Sequence, residues 1–181
     1  GRFRVATLER ERTLGKEDWS PVYTSESGEY LPGLTVRQPH PKPATTSPMA
    51  ALRLLTPLRI KRRGHLVGPA EFEAADLLRA LCERLTLLAG LYGGDAAHFQ
   101  WGGIRHHADD VRIQAHDLRW HDWTRFSSRQ DTLMQMGGLL GGLSLVGPGL
   151  DAFGPALWYG QWVHVGKGTS FGLGAYHIDP G

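Results

Sequence analysis

Cysteine is almost absent from this chain of 181 residues, in which Cys82 is the single example. One cysteine excludes an internal disulfide framework, a four-cysteine zinc site and a thioredoxin-type pair. The sequence also opens without a secretory signal. Both absences favour a reducing compartment, and we expect a cytoplasmic protein.

Lysine is scarce as well, because 16 of the 20 basic residues are arginines. The formal net charge is only +2, which by itself points to no partner. Arginine, however, forms planar, bidentate contacts with phosphate or carboxylate. The basic residues therefore suit an anionic partner wherever they gather on one face.

A run able to span a membrane is also missing. The uncharged stretch 132–150 contains six glycines, together with Gln135 and Pro148, and would make a poor apolar helix. Gly137 and Gly141 have the spacing of a transmembrane helix-dimer motif, but strands packed closely in a sheet fit this composition better. We predict no membrane partner.

Glycine, in contrast, is abundant, with 24 residues where roughly 7% of a chain is usual. Eighteen of them lie after residue 89.

We divide the chain at residue 50. Residues 1–50 are predicted to hold a strand within 1–14 and a proline-rich extended linker over 21–48, for which disorder is the alternative. Residues 51–181 are predicted to form one folded domain.

Six elements are predicted after residue 51, in the order strand, helix, strand, strand, helix, strand. They lie at 52–61 with an interruption at Pro57, 70–89, 111–116, within 132–150, 155–165 and 175–178. Gly90, Gly93 and Gly94 are expected to end the first helix, before a loop over 95–109. In the second helix, Trp158, Trp162 and Val165 form an apolar stripe, and Gly166 caps its end. This order predicts a ferredoxin-like α+β fold, with an antiparallel sheet and both helices on one face.

The most distinctive motif is the loop 166–174, which has four glycines in nine residues. Glycines leave backbone amides uncovered, so that a phosphate can approach closely. Lys167 adds a charge, and Thr169 and Ser170 add hydroxyl donors. A Walker A loop is excluded, since Gln161 stands where its first glycine is needed and Gly168 occupies its Ser/Thr position. The alternative is a tight connection before an ordinary strand.

A second motif combines arginines with aromatic residues at 120–130. Arg125 and Arg129 flank Phe126, close in sequence to Trp120 and Trp123. Arginine forks and aromatic faces together suit single-stranded or bulged RNA. The alternative is a solvated strand end with both tryptophans in the core.

Two further features are less specific. The basic residues Arg53, Arg59, Lys61, Arg62 and Arg63 lie along the first strand and just after it, either to follow phosphates or to face solvent. Five histidines and several aspartates fall within 98–121, but they lack an i, i+4 histidine pair or a cysteine partner. We therefore predict a loop cluster and no metal site.

These motifs carry a resemblance to a known family. Residues 164–176, His-Val-Gly-Lys-Gly-Thr-Ser-Phe-Gly-Leu-Gly-Ala-Tyr, resemble the C-terminal glycine-rich signature of the RAMP superfamily. Within it, the similarity is greatest to the Cas6 family of CRISPR repeat-processing endoribonucleases. The stretch 120–130 is similar to that family's aromatic and R-x-S-x-R-Q segment, and residues 56–59, Thr-Pro-Leu-Arg, to its first-strand entry.

The resemblance implies that the protein binds CRISPR repeat RNA and cuts it once per repeat. The implied reaction needs no metal and no cofactor: a ribose 2′-hydroxyl attacks the adjacent phosphate, leaving a 2′,3′-cyclic phosphate and a 5′-hydroxyl. Other subunits of a CRISPR effector complex are implied as further partners. The RNA-binding residues it implies are Gly166, Lys167, Gly168, Thr169, Ser170, Phe171, Gly172, Gly174, Arg125 and Arg129.

Family members usually carry two ferredoxin-like domains, and their general base, often a histidine, commonly lies in the first. Gly1-Arg2-Phe3 resembles the end of such a first domain, so we expect the C-terminal half of a longer enzyme. His164, next to the loop, is the candidate catalytic residue here; the alternative is a histidine that complements a helix dipole. Two other functions stay open: a non-catalytic RAMP subunit that holds guide RNA, and a ferredoxin-like module unrelated to nucleic acid.

Overall fold

The computed structural model describes residues 4–12, 16–30, 49–92, 101–127 and 131–179. The chain divides into two compact units, residues 1–40 and 41–181. In the first unit, β1 (Thr7–Glu11) and β2 (Trp19–Thr24) form an antiparallel hairpin. Residues 21–24 of the predicted linker are therefore part of a strand, which suits the β-formers Val22 and Tyr23. In residues 25–30 of that predicted linker, a turn at 25–27 is followed by an antiparallel bridge between Tyr30 and Tyr23. Residues 31–48 lie outside the described residues.

The second unit contains nine strands and two α-helices among its described residues. Its strands are β3 (Met49–Leu58), β4 (Lys61–Arg62), β5 (His65–Leu66), β6 (Arg112–His116), β7 (Arg119–His121), β8 (Thr124–Ser127), β9 (Thr132–Gln135), β10 (Gly138–Val146) and β11 (Tyr176–Ile178). Its helices are α1 (Ala74–Tyr92) and α2 (Gly154–Val163), with 3₁₀ turns at Trp101–Asp110, Leu150–Phe153 and Thr169–Phe171.

The main sheet has the order β11-β3-β10-β6, and every pairing in it is antiparallel. β7 continues beyond β6 along the same side of β10. Along the chain, the elements of this domain follow the order β3-α1-β6-β10-α2-β11. In the sheet, the last strand β11 lies beside the first strand β3, and β10 lies between β3 and β6. The ferredoxin-like βαββαβ fold predicted from the sequence is confirmed.

Alternation in β3 and the helical period of α1 place the core between the sheet and the helices. Leu52 and Leu54 are buried, whereas Arg53 and Leu55 between and after them are exposed. Leu78 and Leu81 of α1 are fully buried against this sheet face. Both helices contribute to the same core cluster, as a layer of helices on one side of a sheet requires.

Gly90, one of the three glycines predicted to end the first helix, lies inside it. α1 continues through Gly90 to Tyr92, and a Cβ at Gly90 would meet nothing within 4 Å. One exposed glycine lowers helix stability by only about 1 kcal/mol, so the helix runs on; Gly93 and Gly94 lie outside the described residues. The predicted loop over 95–109 is partly a 3₁₀ segment, in which Trp101 and Ala108 are buried.

The predicted apolar stripe of the second helix is also wrong in part. The buried residues of α2 are Gly154, Ala156, Leu157 and Gly160. Trp158 and Trp162 instead contact each other edge to face, with ring centroids 4.9 Å apart. Small residues let α2 approach Tyr176 more closely than tryptophans would. α2 ends at Val163, with His164 rather than Gly166 as its cap.

The region between β7 and β10 differs from the predicted single strand within 132–150. β9 pairs with β8 in a separate hairpin, and the backbone amide of Met136 donates to the Trp123 carbonyl, at 2.7 Å, where the hairpin returns. Trp120 and Trp123 are 36% and 39% exposed, so they do not belong to the core. No helix among the described residues is long and apolar enough to cross a membrane.

The packing of α2 rests on a buried tyrosine. The hydroxyl of Tyr176 donates to the Leu157 carbonyl at 2.7 Å, and burial raises the pKa of Tyr176 far above its usual range. The phenol therefore stays a neutral donor. Its ring lies directly under Gly160, where a Cβ would fall 2.1 Å from the Tyr176 Oη and 2.7 Å from the Leu81 Cδ1.

We expect Gly160→Ala to lower the free energy of unfolding by about 2 kcal/mol, the usual scale for overpacking a core. Gly90→Ala is the matched control, because it adds the same methyl group to an open helical site and should stabilise by about 0.5–1 kcal/mol. Urea unfolding followed by circular dichroism measures both. Parent-like stability of Gly160→Ala would contradict the close approach of α2 to Tyr176.

Candidate nucleic-acid interface

The glycine-rich loop 166–174 is bound through its backbone to the end of β3. The amide of Lys167 donates to the Arg59 carbonyl at 2.7 Å, and the amide of Gly174 donates to the Pro57 carbonyl at 3.1 Å. Across the base of the loop, the amide of Val165 donates to the Gly174 carbonyl at 3.0 Å. The loop is therefore closed at its base and fixed to the sheet at two points.

Thr56 adds a third attachment through its side chain. Its hydroxyl donates to the Gly172 carbonyl at 2.8 Å and accepts from the Ala175 amide at 2.9 Å. In the sequence, Thr56 belongs only to a strand motif. Nothing in that motif indicates contacts with Gly172 and Ala175, which lie 116 and 119 positions further along the chain. Its role is to position the loop.

The top of the loop presents unused hydrogen-bond donors. The amides of Gly168, Thr169 and Ser170 donate to no acceptor within the described part of the chain. Lys167 and Ser170 are exposed beside them. Consecutive free amides next to a cation form a concave donor set of the kind that holds a phosphate group.

Arg125 reaches this loop from the β8–β9 hairpin. Its guanidinium carbon lies 4.9 Å from the centroid of the Phe171 ring, a cation–π contact between two segments far apart in sequence. Phe171 is 48% exposed and Phe126, next to Arg125, is 57% exposed. The structure thus brings Arg125 and Phe171 together, as two of the predicted site residues; Arg129 lies outside the described residues.

Arg59 connects the same hairpin to the loop, and sequence reasoning did not assign it to the site. Its Nη1 donates to the Gln135 carbonyl of β9 at 2.7 Å, while its own carbonyl accepts from the Lys167 amide. Its Nε is buried and has no hydrogen-bond partner among the described residues. One residue thus joins β3, β9 and the loop.

A comparison with known families decides the identity of this arrangement. The profile of the CRISPR-associated endoribonuclease Cas6 matches residues 52–176, which include Thr56, Arg125 and the loop. The chain belongs to the Cas6 family. The resemblance drawn from the sequence motifs is confirmed.

Solved Cas6 structures share the fold. One Cas6 product complex matches with a TM-score of 0.52 and 18% identity, over 74% of this chain and 52% of that chain. A second Cas6 product complex matches with a TM-score of 0.55 and 15% identity, over 73% and 51%. A partial Cas6-RT-Cas1–Cas2 complex matches with a TM-score of 0.52 and 20% identity, over 77% and 24%. This chain spans about half the length of the two Cas6 chains, and no curated protein sequence matches it significantly.

His164, the candidate catalytic residue, lies directly before the loop at the end of α2. Its amide donates to the Gly160 carbonyl at 3.0 Å, and its φ of 60° is in the left-handed region. The imidazole is half-buried, and its Nδ1 is buried without a partner among the described residues. The backbone of His164 thus caps α2, while its side chain packs inward at Nδ1. The alternative role, an imidazole that complements the helix dipole, stays a prediction.

The basic residues along β3 and β4 do not form one continuous positive face. Arg62 pairs with Glu73 at 2.7 Å and with Asp76 at 3.7 Å. Arg53 is 3.8 Å from Asp179. Carboxylates therefore occupy part of the predicted basic stripe.

Other titratable groups offer little chemistry. Burial raises the pKa of the Cys82 thiol to about 11, so Cys82 is no nucleophile at neutral pH. The Gly142 amide donates to the Asp117 carboxylate, which lowers the pKa of Asp117. The rings of His106 and His107 stack at 3.9 Å. No group of three or more metal-ligating side chains occurs among the described residues.

The loop base supplies a stability prediction. Gly172 and Gly174 share a positive φ, 80° and 76°, but a Cβ at Gly172 meets nothing within 4 Å, whereas at Gly174 it would fall 1.8 Å from the Val165 carbonyl oxygen. We expect Gly172→Ala to destabilise by about 1 kcal/mol. Gly174→Ala should destabilise by about 3 kcal/mol or more, because the loop base must open. Equal losses for the two variants in urea unfolding would contradict this closure of the loop.

Proposed function

We propose that this chain binds CRISPR repeat RNA and serves its metal-independent cleavage into guide RNAs. The observation that carries the proposal is the set of three unused amides beside exposed Lys167, with Arg125 held over Phe171 at the same loop. Donors, cations and an exposed aromatic ring are the groups that recognise single-stranded RNA. Membership of the Cas6 family supports RNA as the ligand.

The reaction proposed is an internal transfer at one phosphodiester. A ribose 2′-oxygen loses its proton and attacks the adjacent phosphorus, while the bond to the 5′-oxygen breaks and that oxygen takes up a proton. The products are a 2′,3′-cyclic phosphate and a 5′-hydroxyl. In this scheme the loop amides and Lys167 stabilise the negative charge that develops on the phosphate oxygens. The requirement for a 2′-hydroxyl restricts the reaction to RNA.

The interaction with RNA is tested by two substitutions at the loop. We expect Lys167→Ala and Arg125→Ala each to weaken binding of a repeat RNA about threefold to tenfold and to reduce the salt dependence of the binding constant by about one unit of slope. Lys16→Ala, an exposed lysine in the other unit, is the control and should stay within about twofold. Fluorescence anisotropy at several salt concentrations measures all four proteins. Unchanged affinity for both loop variants would remove the loop from the interface.

A second candidate function is a non-catalytic RAMP subunit that only holds guide RNA. The loop favours it in one respect, because amides and a cation bind phosphate without requiring a base. The two functions are separated by sequence preference and by products, using matched and scrambled repeats in EDTA. Preference for the matched repeat with a cyclic-phosphate product supports processing, whereas equal affinity and intact RNA support the second function.

A module unrelated to nucleic acid is disfavoured by the position of the loop. Such a module would bury the loop as a plain connection, yet Lys167, Ser170 and Phe171 are exposed.

We also propose other CRISPR proteins as partners, since one matching structure is a Cas6-RT-Cas1–Cas2 complex.

His164 is better suited to donate a hydrogen bond than to remove a proton. With Nδ1 buried and unpartnered, the neutral imidazole avoids an unsatisfied buried N–H only by carrying its proton on Nε2. Nε2 then donates and cannot accept. We therefore propose that the general base is another residue.

We therefore expect His164→Ala to retain cleavage within about tenfold, whereas loss of a general base reduces rates by about 10² to 10⁴. Single-turnover cleavage in EDTA, on a repeat RNA that the unsubstituted protein cuts, makes the comparison. His164→Gln, which keeps a donor, serves as the conservative partner. A loss beyond a hundredfold with unchanged RNA affinity would identify His164 as the base.

A further inference from the structure

A groove of about 240 Å³ lies between the end of β3, one side of α1 and the start of the glycine-rich loop. Its lining residues are Arg59, Ile60, Lys61, Ala80, Glu83, Arg84, Leu87, Gly166 and Lys167. Four of these nine residues are cationic and one is acidic. We call it the α1 groove.

The acidic group does not neutralise the groove. The Oε1 of Glu83 is 2.8 Å from the Nη2 of Arg105, a residue outside the lining set. None of the four cations forms an ion pair with a carboxylate within the described ranges 4–12, 16–30, 49–92, 101–127 and 131–179. By contrast, Arg79, one turn earlier on α1, pairs with Asp109. An excess of positive charge therefore remains in the α1 groove.

The two arginines are held in place by neutral acceptors. Arg84 donates from Nε to the Val163 carbonyl at 3.2 Å, and Arg59 donates from Nη1 to the Gln135 carbonyl at 2.7 Å. These bonds orient each guanidinium without cancelling its charge, and the donors left over can meet an anion. Fixed side chains lose little conformational entropy on binding, which favours a binding site over a merely solvated surface.

The apolar members of the lining suit a sugar or base beside a phosphate. Leu87 is 55% exposed at the groove, and Ala80 is half-buried. The volume is below the roughly 300–1,000 Å³ of a drug-sized site. It has room for one sugar-phosphate unit of a single strand rather than for a duplex.

We propose that the α1 groove binds a backbone phosphate of single-stranded RNA, next to the phosphate held by the glycine-rich loop. Lys167 lines the groove and belongs to the loop, so the two sites are contiguous. The RNA strand would pass from the sheet side of the domain, at Arg125, across the loop and onto α1. This inference rests on the proposed binding of RNA by the loop.

The test uses Lys61→Gln and Arg84→Gln in the 181-residue chain, since neither residue belongs to the loop. Each should lower the slope of log binding constant against log salt by about 0.7–1, and the double variant by about twice that, because each removes one phosphate contact. Affinity at fixed moderate salt should fall about threefold to tenfold per variant. Arg84→Lys keeps the charge and should keep the slope.

Arg79→Gln is the matched control, because it removes a paired arginine from the same helix and should leave the slope unchanged. Thermal unfolding of each variant checks that it is folded. If Lys61→Gln and Arg84→Gln keep the parent slope while Lys167→Ala lowers it, the proposal that the α1 groove binds RNA is overturned. RNA binding by the glycine-rich loop then still stands. If Lys167→Ala and Arg125→Ala also keep the parent slope, the proposed RNA-binding function fails as well.

A calorimetric titration with inorganic phosphate at constant ionic strength distinguishes two ligands of the groove, a backbone phosphate of RNA and a free phosphate anion. RNA backbone recognition predicts no saturable heat in the low millimolar range, and phosphate should compete with RNA only as salt does. Saturable 1:1 binding of phosphate that Arg84→Gln abolishes would make the groove a site for the free anion and overturn its assignment to RNA.

Discussion

The whole candidate interface depends on the attachment of the glycine-rich loop to the end of β3. Two backbone bonds, from Lys167 to Arg59 and from Gly174 to Pro57, and the bridging hydroxyl of Thr56 hold it there. Inside the loop, the amides of Phe171 and Leu173 donate to the Gly168 carbonyl, and the Gly172 amide donates to the Thr169 carbonyl. The amides of residues 168–170 take part in none of these bonds. The loop is thus anchored by donors other than the three amides proposed to bind phosphate.

The same strand end also sets where the other ligand-binding groups lie. Arg59 touches both the β8–β9 hairpin and the loop, so the hairpin's Arg125 can reach Phe171 across the gap. The residue is buried enough that its Nε has lost contact with water, a cost that a surface arginine would avoid. Its position is best explained as support for two separate segments. A change at Arg59 would therefore disturb stability and the proposed RNA contact together, so it is a poor probe of either alone.

The order of elements could be predicted from the sequence because each strand and helix carries its own period. Leu52 and Leu54 alternate with exposed residues, and the leucines of α1 recur at helical spacing, so local pattern and tertiary position agree. Failures arose where long-range packing decides. In the sequence, Gly160 is only a residue of low helix propensity, and its role becomes visible from the Tyr176 side chain that lies under it. Likewise, Thr132–Gln135 pairs with β8 and does not continue into β10. The loop was predictable as a motif, but its anchors at Thr56 and Arg59 lie more than 100 residues away in the chain, and no local signal links them.

The small net charge hides an uneven use of arginine. Arg62, Arg79 and Arg105 pair with carboxylates and link elements of the domain. In contrast, Arg59 and Arg84 donate to neutral acceptors and Arg125 lies over an aromatic ring. The first group is neutralised within the fold, whereas no carboxylate pairs with the second group among the described residues. That second group lies with Lys167 around the ends of the glycine-rich loop. A domain of modest charge can therefore attract a polyanion to one place, because the paired arginines contribute stability and the unpaired ones contribute the field.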